Sequence, residues 1–157
     1  MPQPNDIPTC PVTADLSDTG YCLAFTFRRT ARAVTKAYDA ALAPFRLRSS
    51  QFAILVTVAK TQPVAVGDLA NMLLVDPSTL SRGLLLMQRQ RLVAVSGRSA
   101  MRQRFVTLSP QGARRLNDSI PRWRKVQEKL INLLGSNHWK ELQREFETLS
   151  RRADGLR

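Results

Sequence analysis

The chain has 157 residues, of which 43% are hydrophobic, enough for one sizeable core and short of two. Its 24 Lys and Arg outweigh 12 Asp and Glu to give a formal charge of +12, which points to a polyanionic partner, nucleic acid foremost. Two cysteines, Cys10 and Cys22, exclude a disulfide framework, no Cys/His spacing suits zinc, and no apolar run reaches the roughly 18 residues of a bilayer span. No metal, cofactor or membrane is therefore expected, and without a basic start ahead of an apolar run a signal peptide is not expected either.

Residues 1–20 hold four of the nine prolines and three acids, Asp6, Asp15 and Asp18, with no base beside them. They read as a flexible acidic arm, either a solvated tail or a shield for the basic body. From Tyr21, with Ser17 or Asp18 as cap, Leu23, Phe27, Ala31, Val34, Tyr38 and Leu42 recur at helical spacing up to Pro44. Arg28, Arg29, Arg32 and Lys36 load the other flanks of that helix, as a solvated face or as contacts to an anionic partner. A second helix is predicted from Ser49 or Ser50 to about Lys60, ended by Gln62-Pro63, and a third over Val66–Leu74.

The stretch Asp76–Arg91, DPSTLSRGLLLMQRQR, follows directly. Asp76 can cap the free amides of a helix start and Pro77 suits its first position. Leu80, Leu84 and Met87 fall on one stripe, and Ser78, Arg82 and Arg89 on the opposite one. Two short helices joined by a tight turn read as a helix-turn-helix. Leu92–Ser96 and Arg104–Ser109 then flank GRSAMRQ, which makes a hairpin with a basic tip. Six arginines and no acid lie from Arg82 to Arg104, whereas ordinary solvated surfaces intersperse both signs.

Ser109-Pro110 opens a long helix with Ala113, Leu116, Ile120, Trp123, Val126, Leu130 and Leu134 on one seam, kinked and not broken at Pro121. Gly135 and Asn137 mark a corner before a last amphipathic helix seamed by Trp139, Leu142, Phe146 and Leu149. Apolar seams at both chain ends exceed what one small core can cover, so a dimer through the first and last helices is expected, with an intramolecular bundle as the competing arrangement. Catalysis is not expected. The sole histidine, His138, sits beside Trp139 near a helix start, and neither a Gly-rich phosphate loop nor an acid pair with acid/base spacing is present.

The order of three helices, then Asp76-Pro-Ser-Thr-Leu-Ser-Arg82, then Leu92-Val93, a basic hairpin and Val106-Thr-Leu-Ser-Pro-Gln-Gly112, resembles the MarR family of winged helix-turn-helix regulators. The resemblance runs from about Cys22 to the carboxyl terminus and includes CLAFTFRRTARAVTKAYDAALAPF, SSQFAIL, VGDLANML and STLSRGL. It implies a mainly α fold with a small β-hairpin wing, in which residues 21–48 and 110–157 form a helical dimerisation region and 49–109 a DNA-binding lobe. It implies a homodimeric, cytoplasmic and nucleoid-associated bacterial transcription factor, usually a repressor, on a pseudo-palindromic operator. The 76–91 helix would enter the major groove and the 97–103 wing the minor groove. By position Ser78, Thr79, Ser81 and Arg82 look like groove-facing residues and Arg102 like the wing-tip arginine, with Arg89, Arg98 and Arg104 completing the expected DNA-binding set.

Arginine can pair two donors with guanine in the major groove, and is drawn to narrow A·T-rich steps in the minor groove. Several departures from the family pattern bear on this. The wing acid two residues before the tip is replaced by Ala100, so Arg102 should be mobile and share its contacts with Arg98 and Arg104. Gly83 stands where asparagine is common, and Leu85 near the arginine face, to touch a thymine methyl or cover neighbouring stems. Arg91 occupies the place of a helix-ending glycine, so the turn into the wing is expected to lack that left-handed residue.

Some members of the family sense peroxides through a cysteine near the first helix, but alignment on Arg32 and Tyr38 puts that position at Ala24. Cys22 is two residues away, about 200° around a helix, and is expected to be a buried structural thiol. Others respond to small aromatic anions, for which Arg28, Arg32, Tyr38 and Trp123 have suitable chemistry, although spacing does not bring them together. A small aromatic or anionic effector is thus a candidate partner besides double-stranded DNA. The other DNA-binding reading is a sequence-tolerant architectural protein whose charge coats the duplex.

Overall fold

The computed structural model describes residues 12–97 and 103–155. The chain divides into two compact units, residues 1–34 and 35–157. In the first, Ser17–Tyr21 forms a 3-10 turn and helix α1, Leu23–Leu42, begins. Ser17 and Asp18 lie inside the turn and do not cap α1. Cys22 follows the turn, its amide donating to the Thr19 carbonyl at 3.2 Å, and its thiol is exposed. The expectation of a buried thiol is therefore corrected: Cys22 precedes the helical register and lies off every packed face. Leu23 and Phe25 are likewise exposed.

In the second unit α1 ends on buried Leu42, and a 3-10 turn, Ala43–Phe45, accommodates Pro44. Helices α2, Ser49–Thr61, α3, Val66–Leu73, and α4, Pro77–Arg89, follow. Strands β2, Val93–Ser96, and β3, Phe105–Leu108, make the hairpin, and α5, Pro110–Leu134, and α6, Ser136–Asp154, complete the chain. Helix α5 runs through Pro121 without interruption. The 97–103 wing tip, with Arg98, Ala100 and Arg102, lies outside the described residues except for Gly97 and Gln103, and residues 1–11 with Cys10 lie outside them as well.

A third strand was not legible in the sequence. Val64–Ala65, here β1, pairs antiparallel with β3 through Val64↔Val106 and Ala65↔Phe105, giving the order β1-β3-β2. Two residues are too short to display a period-two pattern, and both are buried. The pairing ties the hairpin root to the link between α2 and α3.

The core sits under α4. Leu55, Leu69, Leu80, Met87, Leu92 and Val106 are all essentially inaccessible to solvent. Leu80, Leu84 and Met87 are the stripe that the sequence predicted, and each such side chain contributes about 1.5–3 kcal/mol when fully buried. This apolar face fixes the rotation of α4 about its axis and thereby decides which side chains look outward.

The corners also differ from expectation in one respect. Arg91 itself adopts the left-handed conformation, φ 55°, and the Leu92 amide returns to the Met87 carbonyl at 2.9 Å. The turn into the wing therefore does use a left-handed residue, without glycine, at a cost of about 1–2 kcal/mol. Packing of Leu92 and Val93 into the core holds it there. Leu74, φ 50°, closes α3 in the same way.

Candidate nucleic-acid interface

Asp76 caps α4 as its position predicts. Its carboxylate accepts the Ser78 amide at 2.9 Å, the Thr79 amide at 3.0 Å and the Ser78 hydroxyl at 2.6 Å. These hydrogen bonds, the Ser78 hydroxyl foremost, hold the Asp76 carboxyl below the usual carboxylate range, and the nearby Arg82 charge adds to them. This capping acid is thus turned onto the helix backbone.

The outward face of α4 carries Ser78, Thr79, Arg82 and Arg89, all exposed, with Ser81 half-buried beside them. Arg82 donates to the Thr79 hydroxyl at 3.3 Å, so its guanidinium lies along the helix toward the amino end. Arg89 follows two turns later, in the last turn, where a cation suits the helix dipole. Leu85 is 51% exposed.

Arg104, the residue just before β3, donates from its guanidinium to the Ser81 hydroxyl at 3.3 Å. A cleft of about 270 Å³ runs between α4 and the wing root, lined among others by Ser81, Arg82, Leu85, Gln88, Val95 and Arg104. The structure therefore brings Ser81, Arg82 and Arg104 together, leaves Arg89 two turns further along α4, and does not describe Arg98 or Arg102. Leu85 lines the same cleft as Arg82 and Arg104. The Ser81–Arg104 pairing was missed by the sequence reading, since 23 residues separate the partners and only the sheet register joins them.

A second feature lies on the other side of α2. Trp123 of α5 stacks on Phe52, with centroids 5.6 Å apart, and on Tyr38 at 6.5 Å. These three rings, with Leu42, Ser49, Ala53, Val56 and Thr57, line a pocket of about 360 Å³. Tyr38 donates its phenol to Gln127, and burial pushes its pKa up. Tyr38 and Trp123, which spacing alone did not bring together, thus meet, and Phe52 joins them. Phe52 had no signal beyond its helical spacing.

Polar links connect this pocket wall to α4. Asp39 accepts the Ser49 amide at 2.7 Å and pairs with Arg48 at 3.3 Å. Gln51 reaches back to the Arg48 amide at 3.0 Å and donates to the Gln90 side chain, just past α4, at 2.9 Å.

The M. tuberculosis transcriptional regulator MosR, solved in complex with DNA, is 32% identical to this chain over 87% of its length and 98% of its own, with a TM-score of 0.80. The chain belongs to the MarR family of transcriptional regulators. AbsC, a MarR family regulator from Streptomyces coelicolor, shares the fold at 24% identity, covering 91% of this chain and 99% of its own, with a TM-score of 0.75. So does the transcriptional repressor CouR, solved bound to p-coumaroyl-CoA, at 18% identity, 87% and 97% coverage and a TM-score of 0.76. Comparisons with protein-family models and with curated proteins found no match. Like other MarR-family proteins the chain is a DNA-binding regulator and not an enzyme. Among the described residues no helix is long and apolar enough to cross a membrane.

Proposed function

We propose that this MarR-family protein is a homodimeric, cytoplasmic, nucleoid-associated repressor that binds a pseudo-palindromic operator. Helix α4 enters the major groove of each half-site and the 97–103 wing reaches the adjacent minor groove. The observation that carries this reading is the outward face of α4: Ser78 and Arg82 stand opposite its buried stripe, with Thr79 and Ser81 flanking them, in a segment with six arginines and no acid from Arg82 to Arg104. Hydroxyls and guanidinium groups at that spacing match phosphates and base edges, and Arg98 and Arg102 supply the wing with charge.

The dimer reading rests on exposed apolar side chains near both ends of the chain: Leu23 and Phe25 in the first unit, Leu133 and Leu134 in the second. A second copy would cover them, with 21–48 and 110–157 as the dimerisation region around the 49–109 lobe.

Release by a small molecule is the regulatory part of the reading. The pocket of Tyr38, Phe52 and Trp123 suits a planar aromatic body, and no charged side chain lines it among the described residues, which favours the aromatic over the anionic character of an effector. CouR, which shares the fold, binds p-coumaroyl-CoA. The Gln51–Gln90 hydrogen bond gives a ligand against α2 a path to α4, provided that it prefers one arrangement of the two helices.

The test compares affinity for the protein's own upstream region with that for scrambled DNA of equal length. A specific regulator binds the former about 10³-fold or more tightly. Equal affinities favour a sequence-tolerant architectural protein and overturn the repressor. Replacing Arg82 relaxes base preference, whereas replacing Arg102 weakens binding to all sequences and flattens the salt dependence.

A further inference from the structure

We propose that Arg104 is a specificity-determining residue of the DNA site, which reads a base edge in the major groove together with Ser81, from the root of the wing and not from its tip. This rests on the reading that α4 is the groove helix.

Arg104 is held at both ends. Its carbonyl accepts the amide of Val66, the first residue of α3, at 2.9 Å. The next residue, Phe105, pairs with Ala65 on one side and Ser96 on the other, so the backbone is clamped between two strands. Its guanidinium is drawn to the Ser81 hydroxyl, on the face of α4 that carries Ser78 and Arg82. The side chain therefore projects toward the recognition helix.

Three consequences follow from ordinary side-chain chemistry. A guanidinium has five N–H donors, and Ser81 occupies one, so a two-donor fork remains for an acceptor pair such as guanine O6 and N7. Among the described residues no carboxylate pairs with Arg104, which leaves its charge for the ligand. A side chain already ordered on Ser81 loses less freedom on binding than a solvated arginine does. Among the described residues, Arg104 is the hairpin arginine whose guanidinium is fixed on the recognition helix. Arg82, tied to Thr79, points toward the amino end of α4, so the two guanidinium groups address different base pairs.

The test uses the full-length protein and the DNA site it selects. Dissociation constants are measured for wild type, Arg82→Ala, Arg104→Ala, Arg104→Lys, Ser81→Ala and the Ser81→Ala/Arg104→Ala pair, on that site and on every single-base variant of one half-site. Arg104→Ala should lose about 5- to 100-fold of discrimination at one base position, different from that affected by Arg82→Ala. Arg104→Lys should lose the same discrimination while keeping the salt dependence, because it retains the charge and not the fork. Ser81→Ala should weaken discrimination at the Arg104 position, and the double variant should lose less than the product of the single losses.

A uniform loss on all variants, with the salt slope reduced by about one, would make Arg104 a phosphate contact and overturn the inference. So would unchanged affinity. Should Arg104→Ala melt below the assay temperature, the charge-preserving Arg104→Lys decides alone. If Arg82→Ala shifts base preference and both Arg104 variants do not, only this inference falls; if Arg82→Ala leaves preferences unchanged too, the groove reading of α4 falls with it.

Discussion

Gly112→Ala is the substitution whose effect follows most directly from the coordinates. Gly112 is buried in the first turn of α5, and a Cβ built there would lie 1.9 Å from the Leu92 carbonyl oxygen and 2.8 Å from its carbon. The backbones must separate by about 1 Å or more before ordinary contact is restored, and forced overpacking of this kind costs about 1–3 kcal/mol. The same carbonyl accepts the Ser109 amide at 3.1 Å, and the Ser109 hydroxyl accepts the Gly112 amide at 2.9 Å while donating to the Arg91 carbonyl. Opening the contact strains this corner, and each hydrogen bond lost adds about 0.5–1.5 kcal/mol. A total of about 2–4 kcal/mol corresponds to a midpoint drop of roughly 5–15 °C for a chain of this size. Thermal denaturation followed by circular dichroism reads it, with urea unfolding as the check. DNA affinity should fall as well, since the corner sets the wing root against α4. A variant melting within about 1 °C of wild type would refute the packing argument.

Gly83→Ala should act in the opposite direction: a Cβ there meets nothing within 4 Å, and replacing a mid-helix glycine gains about 0.5–1 kcal/mol, visible as a raised urea midpoint. Leu74→Gly should raise stability by an amount on the order of 1 kcal/mol, because Leu74 is 77% exposed and left-handed, so little burial is lost when the strain is relieved. The Asp39 carboxyl is held below its ordinary value, chiefly by the Ser49 amide. A depressed folded pKa stabilises above the unfolded value of about 3.9 and is lost as pH falls through the folded one. Stability measured from pH 6 down to pH 3 should therefore decline less steeply in Asp39→Asn than in wild type; parallel curves would show that Asp39 carries no such linkage.

Most of the fold could be read from the chain because its helices announce both their ends and their faces. Asp76-Pro77 and Ser109-Pro110 begin α4 and α5 as predicted, and Leu80, Leu84 and Met87 point inward as their spacing requires. The outward residues of α4 were legible by subtraction. What stayed hidden depends on distance in sequence. Strand β1 is only two residues long and gains its identity from pairing with β3. The Ser81–Arg104 link exists because β1 and β2 hold Arg104 beside α4. Cys22 misled because helical spacing was counted from Tyr21, whereas α1 starts at Leu23. Arg91 misled because its side chain disfavours a left-handed turn that packing of Leu92 nevertheless imposes.

The central claim is that two copies of this chain read a symmetric site, one α4 to each half. Selection of binding sites by the wild-type protein from a random double-stranded pool tests it most directly. The account predicts an inverted repeat with half-site centres about one helical turn, roughly 10–10.5 base pairs, apart. Recovery of an unpaired motif, or of no consensus at all, would contradict it.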